Sequence, residues 1–135
     1  MKTLYTAEAT VQGGRGGHAQ SADGHLDIKL SVPSEMGGDG GQGTNPEQLF
    51  AAGYAACFQS ALIQSARRQH VDADLSTIRA QVGIGPNGKG GFELAVTLNI
   101  SIPGVEKETA EKLERRSSNG IKRASEAQLA QGNRV

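Results

Sequence analysis

A long helix with small side chains is the feature that most limits how this chain can fold. Its start is marked by Asn45 as N-cap, Pro46 at the first helical position and Gln48 three residues after the cap. From Leu49 to about Arg68 the pattern is helical and apolar around most of the circumference, with a run of small residues, AAGYAAC. Because so much of its surface is apolar, we expect a central, buried helix, and its small side chains let another backbone approach closely.

The residues before this helix predict a hairpin. Residues 3–10 and 24–33 alternate in the period-2 pattern of strands, and the glycine-rich segment 13–17 between them is typical of a turn. Residues 37–43 (GGDGGQG) contain too much glycine for a helix or strand, so we expect a loop there.

The residues after the helix predict a second hairpin and a second helix. Residues 77–85 and 92–102 alternate strictly, and the join at 86–91 contains the Asn-Gly pair that tight turns favour. Residues 105–116 are rich in Glu and Lys and are expected to be helical. The order of hairpin, central helix, hairpin and helix places the chain in the α+β class.

Composition bounds the class of protein. A chain of 135 residues and 14.0 kDa has the size of one domain, and we expect a single domain over 1–135. Fourteen Lys and Arg balance fourteen Asp and Glu, so no overall charge attracts nucleic acid. The sequence has no apolar run near the roughly 20 residues that span a bilayer and no signal-peptide pattern, so we expect a soluble cytoplasmic protein.

Cys57 is the only cysteine of the sequence, and its role divides the functional interpretations. A cysteine in an apolar helix is more often a small buried hydrophobic residue than a reactive thiol. Arg15, which has two glycines on each side, is either a solvated turn residue or a cation that the turn brings close to another group. The residues alone leave both questions open.

Other site chemistries receive little support. His18, His25 and His70 lack the spacing of metal ligands, so we expect neither a metal nor a bound cofactor. The glycine loops lack the Gly-Lys-Ser/Thr ending of a phosphate-binding loop. Nucleic-acid binding through the basic C-terminal tail is a minor alternative, because the tail is short and has no aromatic residue on which bases could stack.

The segment 43–58 (GTNPEQLFAAGYAACF) closely resembles the signature of the organic hydroperoxide resistance (Ohr) branch of the OsmC/Ohr family of thiol peroxidases. Shorter segments agree in register from about residue 1 to 113: LYTA at 4–7, GGR at 13–15, LSVP at 30–33, VGIG at 82–85 and GF at 91–92. The resemblance implies an OsmC-like fold, with antiparallel sheets around a buried central helix in an intertwined homodimer. It also implies an enzyme that answers oxidative stress by reducing organic, fatty-acid type hydroperoxides to alcohols.

Carried over by motif, the resemblance gives Cys57, Arg15 and Glu47 as catalytic residues. Cys57 would attack as a thiolate, Arg15 would stabilise that anion, and Glu47 would orient the guanidinium by a two-point contact that lysine cannot reproduce. The expected reductant is an external thiol of the dihydrolipoyl type, such as a lipoylated protein. The residues around Cys57 suit a hydrocarbon hydroperoxide: Leu49, Phe50 and Phe58.

The sequence departs from the family pattern after Leu113. The family has a resolving cysteine in a Cys-Pro-Tyr-Ser-type motif on the helix after Pro103-Gly104 and then a final strand, whereas residues 114–135 contain neither a cysteine nor an alternating apolar run. An impaired enzyme, or a non-catalytic relative that binds or senses lipid hydroperoxides, therefore remains the alternative. Residues 121–124 (IKRA) match a frame-shifted reading of His-Gln-Ala-Cys codons, and the nucleotide sequence tests whether the tail is a frame error.

Helix geometry constrains how the three residues can meet. Glu47 lies ten residues before Cys57, which is about 15 Å along the axis of a continuous helix. Either the helix breaks near Gly53, or Glu47 and Arg15 reach the Cys57 of a partner subunit. We therefore expect a homodimer, and if the helix is continuous, a site that combines the two chains.

Overall fold

The computed structural model describes residues 1–117, which fall into two compact units, one of Met1–Phe50 and one that begins at Ala51. The first unit contains a three-stranded antiparallel sheet of β1 (Ala9–Gln12), β2 (His18–Ser21) and β3 (Asp27–Lys29), in that order. Val11 pairs with Ala19, and Ala19 pairs with Ile28.

The strands of this sheet differ from the prediction in their bounds. The first begins at Ala9 instead of residue 3, and the predicted strand 24–33 is limited to β3. Strand β2 was not predicted, because among its four residues only Ala19 is apolar and one apolar residue has no period. The predicted turn at 13–17 is confirmed and contains a short 3-10 turn at Gly14–Gly16.

Helix α1 (Pro46–Arg68) begins where the capping signals place it. The Asn45 side-chain oxygen accepts a hydrogen bond from the Gln48 amide at 2.8 Å, which confirms the N-cap. The helix is buried along one face, at Phe58, Leu62 and Ala66, rather than around most of its circumference. Spacing of four residues places these three side chains on one stripe, so the opposite side stays accessible in the single chain.

In the second unit, α1 is followed by a long antiparallel hairpin of β4 (Thr77–Pro86) and β5 (Phe92–Ser101) and by helix α2, described over residues 107–117. Thr77 pairs with Ser101 and Pro86 with Phe92, so the predicted hairpin and the second helix are confirmed.

The core of the second unit lies where α1, the hairpin base and α2 pack together. Its buried members are Leu62, Ala66, Ala73 and Leu113, and the partly buried side chains around them are Ile63, Val71, Ile78, Ile100 and Ile102. Within residues 1–117, no helix has the length and apolar character needed to cross a membrane. Residues 118–135 of the atypical tail lie outside the described residues. The structure therefore does not test the frame-shift hypothesis for residues 121–124.

Candidate functional site

The structure brings together two of the three predicted site residues, Arg15 and Glu47. The two terminal nitrogens of Arg15 donate to the two carboxylate oxygens of Glu47, Nη1 to Oε2 at 3.0 Å and Nη2 to Oε1 at 2.8 Å. This is the two-point contact that was expected from the planar guanidinium. Arg15 is therefore not a merely solvated turn residue.

The pair is asymmetric in its exposure. The Glu47 side chain is 13% exposed and the Arg15 side chain is 38% exposed. The carboxylate is thus the shielded partner, and the guanidinium is the more accessible one. A cation that a carboxylate orients and that stays partly accessible can receive an anion or a polarised oxygen.

The contact perturbs both groups. The hydrogen bonds from Arg15 lower the pKa of the Glu47 carboxyl below its ordinary value, against a smaller opposing effect of burial. The same hydrogen bonds raise the pKa of Arg15. Glu47 is therefore ionised at neutral pH, where its carboxylate can accept hydrogen bonds but cannot donate a proton.

Local sequence explains the position of each partner. Arg15 lies in the 3-10 turn that joins β1 to β2, where Gly13 and Gly14 adopt positive φ angles of 82° and 61°. Glu47 lies in the first turn of α1, where a carboxylate also interacts favourably with the positive end of the helix dipole.

The third predicted residue, Cys57, lies on α1 in the second unit and is exposed. The residues four positions away on either side, Gly53 and Ala61, are small. Burial thus does not support the interpretation of Cys57 as a small core residue. Phe58, expected beside the substrate, is instead buried, whereas Leu49 is half-buried and Phe50 is exposed.

Helix α1 is continuous through Gly53, so the helix break considered from the sequence does not occur. Cys57 lies ten positions after Glu47 on the helix, which is about 15 Å of rise. Glu47 and the sulfur of the same helix therefore cannot touch.

Two of the three histidines contact acidic side chains. His18 pairs with Asp27 across β2 and β3, and His25 Nδ1 lies 3.2 Å from a carboxylate oxygen of Asp23. In the part of the chain that the structure describes, no group of three His, Cys, Asp or Glu side chains could hold a metal ion.

Ser31, which follows β3, was not predicted from the sequence as part of the site. It is 8% exposed, and its hydroxyl oxygen accepts a hydrogen bond from the Gly43 amide at 2.8 Å, just before α1. Position 31 lies within the LSVP segment of the resemblance, which was the only available signal, because nothing in the local pattern links it to residue 43.

Comparison with known proteins gives a consistent set of relatives. The family model described as OsmC-like protein matches residues 37–120. The organic hydroperoxide resistance protein of Xanthomonas axonopodis pv. citri (strain 306) is 53% identical over 108 residues, which cover 78% of this chain and 75% of that protein.

Solved structures of similar proteins share the fold. The organic hydroperoxide resistance protein of Elizabethkingia anophelis superposes with a TM-score of 0.85 at 43% identity, over 95% of this chain and 91% of that chain. OhrB of Bacillus subtilis, another organic hydroperoxide resistance protein, gives a TM-score of 0.78 at 43% identity, over 85% and 84% of the two chains.

Proposed function

The chain belongs to the OsmC/Ohr family, in its organic hydroperoxide resistance branch, and from this premise we propose that it is a thiol peroxidase that reduces organic hydroperoxides to alcohols at Cys57. The observation that carries the proposal is the two-point contact between Arg15 and Glu47. These are the two residues that the family pattern assigns to the support of a peroxidatic cysteine.

The proposed reaction begins with the Cys57 thiolate. Its sulfur attacks the outer oxygen of the hydroperoxide, so an S–O bond forms while the O–O bond breaks. The leaving alkoxide takes a proton and departs as the alcohol, and Cys57 is oxidised to the sulfenic acid. The N–H groups of Arg15 that face away from Glu47 stabilise the thiolate and the developing oxyanion.

Glu47 acts on the reaction through Arg15. Its ionised carboxylate fixes the plane of the guanidinium, so the cation does not have to reorganise when negative charge develops on oxygen. The apolar residues that flank the start of the site, Leu49 and Phe50, favour a hydrocarbon substrate over hydrogen peroxide.

The site is proposed to form between two copies of the chain. Glu47 cannot touch the Cys57 of its own helix, so the Arg15–Glu47 pair of one subunit serves the Cys57 of its partner. An exposed apolar stripe on the second hairpin supports association, since Phe92, Leu94 and Val96 lie on one face of β5 and are exposed in the single chain.

Subunit mixing tests the shared site. Cys57→Ser and Arg15→Lys chains are unfolded, mixed and refolded, and each preparation alone is expected to be inactive or nearly so. A shared site predicts recovered activity, because a mixed dimer then contains one site with both wild-type residues. A mixture as inactive as its components would contradict the shared site, and a monomer in ultracentrifugation at micromolar concentration would contradict the dimer.

The single cysteine favours a second candidate, an impaired or non-catalytic relative that binds or senses lipid hydroperoxides. Within these 135 residues the sulfenic acid of Cys57 has no second thiol, so an external thiol must reduce it. That thiol attacks the sulfenic sulfur and releases water, and another thiol then displaces Cys57 from the mixed disulfide.

A turnover assay separates the two candidates. Cumene hydroperoxide is supplied in excess with dihydrolipoamide, and alcohol formation is followed. The peroxidase predicts many turnovers for each chain. One turnover or fewer, with sulfinic or sulfonic acid on Cys57 in the intact mass, would instead identify the impaired or sensing relative.

A further inference from the structure

The two members of the ion pair are held by a short piece of backbone, residues 29–31, at the end of β3. Toward the Arg15 turn, the Leu30 amide donates to the Gly17 carbonyl oxygen at 2.8 Å. In an extended chain, successive backbone groups point to opposite sides, so the groups that flank this amide face the other way.

On that other side, residues 29–31 hold the chain that leads into α1. The Thr44 amide donates to the Lys29 carbonyl oxygen at 2.9 Å, and the Ser31 amide donates to the Thr44 carbonyl oxygen at 2.8 Å. The Gly43 amide donates to the Ser31 hydroxyl oxygen at 2.8 Å. Helix α1 starts only two residues after Thr44, so these bonds fix where Glu47 lies.

Each of the two segments bonded to residues 29–31 contains a glycine that has no room for a side chain. A Cβ atom on Gly17 would lie 2.7 Å from the carbonyl carbon of Gln12 and 2.7 Å from the Gly13 Cα. A Cβ atom on Gly43 would lie 2.7 Å from the Lys29 carbonyl oxygen and 2.6 Å from the Ser31 hydroxyl oxygen. Most of these atoms are backbone, so a larger residue would have to displace the chain.

Gly16 provides an internal comparison. It also flanks Arg15, yet a Cβ atom there would meet nothing within 4 Å, and its φ angle is not in the left-handed region. Two adjacent glycines of one turn thus differ in whether the fold needs them.

We propose that residues 29–31 form a positioning frame for the Arg15–Glu47 pair, with Gly17 and Gly43 as the crowded positions in the two segments that the frame joins. The inference rests on the proposed function only in that the pair is taken to serve a peroxidatic Cys57. The frame itself is a property of the first unit. Its residues act through Arg15 and Glu47 and are positioning residues rather than catalytic ones.

The test compares Gly17→Ala and Gly43→Ala with Gly16→Ala as the matched control. The readout is the pKa of the Glu47 carboxyl, followed by carbon NMR across an acid titration of the folded protein. In the two frame variants we expect the pKa of Glu47 to rise toward the ordinary glutamate value, because the Arg15 contact is lost or loosened. The control is expected to match wild type.

A purely structural role predicts a different result. The frame variants would then melt at a lower temperature while the folded protein kept the wild-type pKa of Glu47, and this outcome would overturn the inference. An equal rise in Gly16→Ala would overturn it as well, since that position has no close contact.

If the alanine variants do not fold, a variant that adds no side chain at Gly17 or Gly43 tests the same inference. One extra glycine between Gly16 and Gly17 lengthens the turn, which hairpin loops tolerate, and releases Arg15 from its fixed orientation. The pKa of Glu47 should again rise, and an unchanged pKa in this folded variant would contradict the frame.

Activity is measured separately, so that the two proposals can fail independently. Misplacement of Arg15 is expected to lower kcat/KM for cumene hydroperoxide by about 100-fold in Gly17→Ala. In an Arg15→Ala background, Gly17→Ala should cost nothing further. If wild type has no peroxidase activity but the pKa of Glu47 responds as described, the proposed function fails and the frame stands.

Discussion

The two units of the chain are ordered by different forces. In the first unit the buried residues are few, namely Ala19, Leu30 and Ser31, and the Arg15–Glu47 pair is positioned by backbone hydrogen bonds and close glycine contacts. In the second unit an apolar core of Leu62, Ala66, Ala73 and Leu113 holds the helix that carries Cys57 on its exposed side. The Arg15–Glu47 pair thus depends on backbone geometry, whereas the helix with the proposed nucleophile depends on hydrophobic burial.

The sharpest test of this contrast is Cys57→Ser, which should remove the chemistry and leave the core intact. Serine is nearly the same size, and the side chain is exposed, so we expect the free energy of unfolding to stay within about 0.5 kcal/mol of wild type. Cumene hydroperoxide consumption should fall to the uncatalysed rate. Ser60→Ala, an exposed change one turn away, is the control, and any enzymatic consumption left in Cys57→Ser would refute the peroxidase assignment.

Arg15→Lys tests the first unit in the same way. Lysine keeps the positive charge but cannot bond both carboxylate oxygens of Glu47 in one plane, so the cation loses its fixed orientation. We expect kcat/KM for the hydroperoxide to fall by about 100-fold with little change in melting temperature. Arg79→Lys, an exposed change on β4, controls for the substitution itself. Equal activity in both variants would show that charge alone suffices.

The contrast between hydrophobic burial and backbone contacts also explains which parts of the fold could be predicted from the sequence. Strands β4 and β5 were predicted because each has ten residues and alternates apolar side chains with polar or small ones, which places the apolar side chains on one face of each strand. The start of α1 was predicted because Asn45, Pro46 and Gln48 give independent signals of one helix end. Burial and capping act locally, so they leave local patterns.

The first unit leaves weaker patterns. Strand β2 has one apolar side chain, and the contact of Gly43 with Ser31 joins residues twelve apart whose types give no sign of it. The Arg15–Glu47 contact spans 32 positions and was expected only through the family resemblance. The exposure of Cys57 was not predicted, because a helix with small residues on every side does not show which face will be covered.

Leu62→Ala is expected to change activity less, and stability more, than Cys57→Ser or Arg15→Lys does. Leu62 is completely buried, so truncation should lower the free energy of unfolding by about 3 kcal/mol in urea denaturation. The pKa of Glu47 and the peroxidase rate of the folded protein should stay near wild type, since the frame lies in the other unit. Gln64→Ala on the exposed side of α1 is the control. A large change in the pKa of Glu47 would show that the two units are coupled.

The smallest effect concerns acid stability and isolates Glu47 itself. Its pKa is lowered in the folded protein, first by the hydrogen bonds from Arg15, so near and below the ordinary glutamate value of about 4.3 the unfolded chain binds more protons at this residue than the folded chain does. The contribution is therefore fully present at neutral pH and is lost as the pH falls from that value through the folded pKa. Arg15 is 38% exposed and screened by solvent, so we expect the pair to contribute about 1 kcal/mol or less to the free energy of unfolding.

Urea denaturation at about pH 6 and about pH 3 should show wild type losing more stability on acidification than Glu47→Gln, whose side chain does not titrate. Glu93→Gln on the exposed face of β5 should behave like wild type. Equal losses of stability in wild type and Glu47→Gln would mean that Arg15 does not hold the Glu47 carboxylate in solution. The first unit would then not be organised around a positioned ion pair, and the contrast between the two units would fail.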